Sequence, residues 1–209
     1  MVIAGVALDE KSERELKKLG VKDSKQLSPK RREFLAGEIE KRARNIVVIR
    51  VPACKIDSYR AKKINLDRIE AIKMADIINV CSADRFYIDS LGVNTNRFKN
   101  MILEYLQNKN ANLIVENYAD DNYTVVGAAS IIAKTSRDEV IAQIEREVGE
   151  PIGVGYSHDS RTVKLVEGLV RSGKKLPNWV RKSWITTQVI QENSLQRRLK
   201  DFIKKKIKI

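Results

Sequence analysis

Four short apolar runs, "VIAGVAL", "NIVVIRVP", "RFYID" and "NLIVE", alternate with longer stretches whose apolar residues recur at helical spacing. That alternation is the strongest constraint on the fold. Runs this short, rich in β-branched residues, suit strands covered on both faces. A helix between successive strands gives a layered α/β arrangement. The intervening stretches carry their own start and stop signals. Ser28-Pro29 places a cap and then a proline at the first turn of a charged helix. Gly20 closes "DEKSERELKKLG". Asn65 can cap "LDRIEAIKMADIINV", where Ile69, Ile72, Met74, Ile77 and Ile78 share a stripe. A helix is predicted from about Thr124 to Glu147. Beyond it the strands cease, and helices run from "RTVKLVEGLV" to "NWVRKSWITTQVIQ". The expected layout is an α/β core over 1–150, a helical part of the same domain over 151–193, and a basic tail over 194–209.

A chain of 209 residues is long enough for one domain with a real interior. Apolar runs stay short of a membrane span, and no basic-then-apolar signal opens the chain, so a cytoplasmic protein is expected. Cys54 and Cys81 are too far apart for a metal knuckle and read as buried hydrophobes. With His158 as the one histidine, His-rich zinc sites have no ligands to draw on. The net charge of +13 points to a polyanionic partner, nucleic acid above all. A Lys/Glu-rich thermophile surface explains many charges but not that excess.

Two aspartates stand at strand ends. Asp89 closes "RFYID", and Asp120 follows "NLIVE" after a short interval. In open α/β sheets, ligand sites form beyond the strand ends. If the two strands are neighbours, the carboxylates converge, because adjacent strands lie about 5 Å apart. Converging acids with no histidine or thiolate suit a hard cation with oxygen ligands, Mg2+ or Mn2+. Such ions can activate a water and stabilise the leaving oxygen of a phosphodiester. Spacing alone leaves the ordinary alternative open, since a strand-end Asp is usually a turn former or a helix cap. Asp121 reads as a solvated neighbour. The run Gly127, Ala128, Ala129, Ser130 would let the next helix approach the sheet closely.

The motifs "VKDSKQLSPKRRE", "INLDRIEAIKMADII", "YIDS", "ADDNYTVVGAASIIAKTSRD", "GVGYSHDSRT" and "LPNWVRKSWIT" occur here in order over nearly the whole chain. In this the chain resembles ribonuclease HII, its archaeal branch most closely. The resemblance implies a ribonuclease-H-like mixed sheet flanked by helices, with a helical C-terminal extension. It implies a monomeric, divalent-metal endonuclease that cuts the RNA strand of RNA/DNA hybrids and nicks 5′ of ribonucleotides embedded in duplex DNA. It assigns Asp89 and Asp120 to the metal site and Tyr156 to sensing the ribose 2′-hydroxyl. Lys25, with Ser24 beside it, is assigned to the substrate phosphates.

Departures from the family pattern are local, with one exception. Asn117-Tyr118 stand where the family reads His-Lys, and Ser157 replaces the proline after Tyr156. The family pattern gives His158 no role. The exception is the start. The family opens with an Asp-Glu-Ala-Gly-Arg-Gly strand that supplies two of four catalytic carboxylates, and this sequence begins at "MVIAGV". The expectation is a longer native protein, because the absent strand is the central one of the sheet. The alternative is a catalytically impaired protein that still binds hybrids. A different ribonuclease-H-fold enzyme, such as a junction resolvase, would leave "DSK" and "AASIIAK" unexplained.

In the tail, "QRRLKDFI" sets Gln196, Leu199, Phe202 and Ile203 at the spacing of a sliding-clamp-binding peptide. Ile203 replaces the usual second aromatic. An ordinary amphipathic helix ending in lysines is the competing reading.

Overall fold

The computed structural model describes residues 1–21, 27–90, 92 and 94–207. Its elements in chain order are β1 (Val2–Ala7), α1 (Glu10–Lys18), α2 (Pro29–Arg42), β2 (Asn45–Arg50), α3 (Ala53–Ala61), α4 (Leu66–Val80) and β3 (Phe86–Asp89). There follow α5 (Thr95–Tyr105), β4 (Leu113–Glu116), α6 (Ala119–Asn122), α7 (Thr124–Val148), α8 (Ser160–Arg171) and α9 (Ile185–Ile207). The strand and helix order expected from the sequence is present, with α3 and α6 added. No described helix is long and apolar enough to cross a membrane.

The chain divides into two compact units, Met1–Val51 with Ile64–Asp138, and Pro52–Lys63 with Glu139–Ile209. The first holds all four strands. β1 pairs antiparallel with β2, in the register Ala4↔Val48, and β3 pairs parallel with β4, in the register Asp89↔Glu116. No ladder joins the two pairs among the described residues.

β1 is covered on both faces, as its unbroken apolar run requires. Ala4 and Val6 pack into a cluster of Leu16, Leu35, Ile39, Ala128, Ile131 and Ile132, drawn from α1, α2 and α7. Gly5, one residue out of phase, faces α4. A Cβ there would lie 2.5 Å from Ile77 Cγ2, so the close approach of α4 excludes a side chain. α4 also reaches β3, because Ala71, Ala75 and Ile78 share a second cluster with Ile88, Phe98, Ile102 and Leu113. One helix thus spans both strand pairs. Leu16, Leu35, Ile39, Ile102 and Ile131 have no accessible surface, each contributing about 1.5–3 kcal/mol by burial.

The helix starts follow their sequence signals. Ser28 Oγ accepts the Arg31 N–H at 3.3 Å, and Asn65 Oδ1 accepts the Arg68 N–H at 2.9 Å. Gly20 adopts φ +83° just beyond α1, as a helix-closing glycine does.

The second unit is helical. Val166, Leu176 and Val180 form its small core, with Trp179 and Ile190 packed against them. Asp57 of α3 accepts the N–H groups of Lys182 and Ser183, both at 2.9 Å, just before α9.

Candidate active site

β3 and β4 run side by side and end together at Asp89 and Glu116. The ladder extends one step further, with the Ser90 N–H donating to Glu116 O at 2.9 Å. Two residues on, the chain reverses. Tyr118 takes the left-handed conformation, φ +58° and ψ +35°, and starts the single turn of α6. A tyrosine held there costs about 1–2 kcal/mol relative to ordinary backbone. The reversal swings Ala119 and Asp120 back toward the end of β3, where the Ala119 N–H donates to Asp89 Oδ1 at 3.0 Å. Asp89 is therefore bonded to the residue next to Asp120. Asp120 itself is 2 % exposed, whereas Asp121 points to solvent.

Asn117 fastens the same corner. With its carboxamide nitrogen turned inward, it donates to Ser90 O at 2.7 Å and Gly92 O at 2.9 Å. The loop leaving β3 and the loop leaving β4 are thereby tied through one side chain. Glu116 is engaged elsewhere: it accepts the Tyr123 hydroxyl at 2.9 Å, which pushes the tyrosine's pKa up. The Tyr123 ring also lies 4.4 Å from that of Tyr87, fixing the start of α7 against β3. The small residues that follow have the expected use. Gly127 and Ala128 are buried, and Ala128 packs into the cluster beneath β1.

The donor set at this corner is carboxylate oxygen, without histidine or thiolate, and suits a hard divalent cation. Among the described residues no group of three or more His, Cys, Asp or Glu side chains forms a metal-binding cluster. Asp89 and Asp120 are the aspartates at this corner, with the Ala119 N–H on Asp89 Oδ1. Lys25 and Ser24 lie outside the described residues.

Tyr156 belongs to the second unit, in the loop before α8. Asp159 organises that loop. Its Oδ2 accepts the N–H groups of Val154 at 3.2 Å and Thr162 at 3.1 Å, and lies 2.7 Å from the Thr162 hydroxyl. The hydroxyl and N–H of Thr162 hold the Asp159 carboxyl below its ordinary pKa. Thr162 Oγ1 in turn accepts the Gly155 N–H at 3.0 Å and sits 2.8 Å from Ile152 O. Gly153 takes φ +80°, and a Cβ on it would collide with Asp159 Oδ2. Sequence reasoning assigned no role to Asn117, Asp159 or Thr162. Asp159 directly ahead of α8 was a usable N-cap signal; Asn117 had none, because its partners depend on strand pairing.

On α9, Gln196 is exposed, as are Leu199 and Ile203 at 61 % and 53 %. The Phe202 side chain lies outside the described residues. Leu195, also 59 % exposed, stands one turn before Leu199.

Comparison with known proteins gives a consistent result. The family model described as ribonuclease HII matches residues 1–187. Ribonuclease HII of Methanocorpusculum labreanum is 40% identical over 202 residues, covering 97% of this chain and 92% of that protein. Among solved structures, ribonuclease H2 of Pyrococcus horikoshii OT3 superimposes with a TM-score of 0.81 at 32% identity, covering 93% of this chain and 99% of that one. The ribonuclease HII solved in complex with PCNA from Archaeoglobus fulgidus gives 0.80 at 36% identity, covering 91% and 88%. The strand–helix order and these similarities agree: the chain belongs to the ribonuclease HII family, the type 2 ribonucleases H.

Proposed function

We propose that the chain hydrolyses the RNA strand of RNA/DNA hybrids and nicks duplex DNA on the 5′ side of embedded ribonucleotides. Asp89 and Asp120 are the metal ligands in this reading, for Mg2+ or Mn2+. The observation that carries it is the Ala119 N–H bond to Asp89 Oδ1, which links the two acids through a single residue. A divalent ion held there supplies Lewis-acid activation of a water and of the phosphodiester oxygens. The protein's own part is to hold two carboxylates in fixed orientation, with Asn117 and the left-handed turn at Tyr118 setting the corner. Tyr156 reads the ribose 2′-hydroxyl, and Lys25 and Ser24 steady the phosphates. The test is a labelled duplex containing one ribonucleotide, incubated with Mg2+ or Mn2+ and separately with excess EDTA. Metal-dependent nicking with a 3′-hydroxyl and a 5′-phosphate is expected; cleavage that persists in EDTA would refute the metal assignment.

A second reading is a hybrid-binding protein with little hydrolysis. Retention of the duplex with no nicking in either metal would establish it.

The exposed Leu199 and Ile203 on α9, with Gln196, support a further proposal, that residues 196–203 bind a sliding clamp. The PCNA complex of the Archaeoglobus relative is consistent with this. Removing residues 195–209 is expected to abolish co-elution with the clamp while leaving nicking intact. Retained co-elution would count against it.

A further inference from the structure

Tyr156 to Asp159 form a tight turn, closed by the Asp159 N–H donating to Tyr156 O at 3.1 Å. Ser157 and His158 are its central residues, and neither has a positive φ. That excludes the type II and primed turns and leaves Ser157 at the place where proline is favoured. Across the turn the rings of Tyr156 and His158 stack, centroids 5.5 Å apart and planes 9° from parallel. Tyr156 remains 46 % exposed, so the stack covers part of the ring and leaves the rest to solvent.

We propose that His158 is a positioning residue: it backs one face of the Tyr156 ring and so fixes the other face toward the sugar of the substrate. The proposal rests on the assignment of Tyr156 to ribose sensing. A tyrosine ring swings on two torsions, and a ring that is still mobile loses that freedom only when substrate arrives, which weakens binding. Stacking on His158 moves the loss of freedom to folding. The preference of aromatic pairs for offset, near-parallel contact sets the ring plane as well as its place. The need for such backing follows from position 157. A proline there, as in the family pattern, fixes φ near −65° and stiffens the turn from the backbone. Serine leaves that torsion soft, and the side-chain stack restrains the same turn from outside. Asp159 and Thr162 anchor the far side of the loop, with Oδ2 and Oγ1 2.7 Å apart, and the Thr186 hydroxyl donates to Ser157 O at 3.5 Å.

The experiment uses the full chain and two duplexes of identical sequence, one with a single ribonucleotide and one all DNA. Their dissociation constants are measured in EDTA by fluorescence anisotropy, and KM and kcat are measured with Mg2+. His158→Ala is expected to lower the preference for the ribonucleotide duplex by about three- to tenfold, the scale of one aromatic contact. The change should fall in dissociation constant and KM, with kcat and melting temperature unchanged. His158→Phe should restore the preference to within about twofold of the parent, since it keeps the ring face. Adding Ser157→Pro to His158→Ala should recover most of the loss, because the backbone then supplies the restraint. Unaltered preference in His158→Ala, while Tyr156→Ala loses it, would overturn the role of His158 alone. Unaltered preference in Tyr156→Ala would overturn the sugar-sensing assignment beneath it. Failure of both His158→Phe and Ser157→Pro to rescue would also overturn the proposal.

Discussion

The main-chain N–H of Ala119 donates to Asp89 Oδ1 across 3.0 Å, so the last residue of β3 is held by the residue preceding Asp120. The bond fixes one carboxylate oxygen of Asp89, and the buried position of Asp120 restricts the other acid. Replacing either aspartate by asparagine keeps size and hydrogen-bonding capacity but removes the charge a hard cation requires. Asp89→Asn and Asp120→Asn should each lower kcat by roughly 10²–10³-fold, the scale of losing one charge-stabilising group at a reacting centre. Duplex binding in EDTA should change by less than about twofold, because phosphate contacts dominate it. A variant that nicks at the parental rate would remove that residue from the metal site.

Asn117 is the next element of the same corner. Its amide reaches two carbonyls of the loop after β3, those of Ser90 and Gly92. Asn117→Ala leaves both carbonyls without that donor and should cost about 1–2 kcal/mol, a fall of roughly 3–6 °C in melting temperature for a chain of this size. Turnover should drop with it, since the loop sets the orientation of Asp89. Asn117→His, the residue of the family pattern, keeps a ring N–H donor and should recover part of both losses. Thermal melts and single-turnover rates measured together separate the two effects.

What could be read directly from the sequence was local. The four strands announce themselves as short β-branched runs, and Ser28, Asn65 and Gly20 mark helix ends by chemistry that needs no distant partner. α3 carried no such signal: only Ile56 of its nine residues is buried, and its Pro52 cap makes no side-chain hydrogen bond. It is held in part by Asp57 accepting main-chain N–H groups 125 and 126 residues away. α6 is one turn long and begins at a left-handed tyrosine, a conformation that residue type argues against. The acids themselves were visible as strand-end aspartates. Their closeness was not, because it requires β3 and β4 to be neighbours and the chain to double back at Tyr118.

Acid should loosen the Tyr156 loop through Asp159. The Asp159 carboxyl is held below its ordinary pKa of 3.8, chiefly by hydrogen bonds from the Thr162 hydroxyl and N–H. A depressed carboxylate contributes stability in full above its unfolded value and loses it as pH falls through the folded one. The loop should therefore keep constant amide protection at Val154, Gly155 and Thr162 from neutral pH down to near 3.8, then lose it progressively below. In Asp159→Asn, protection at these amides should be lower and should no longer change across that acid range. Hydrogen exchange followed by NMR resolves the three sites, and parallel acid profiles for parent and variant would exclude Asp159 as the group responsible.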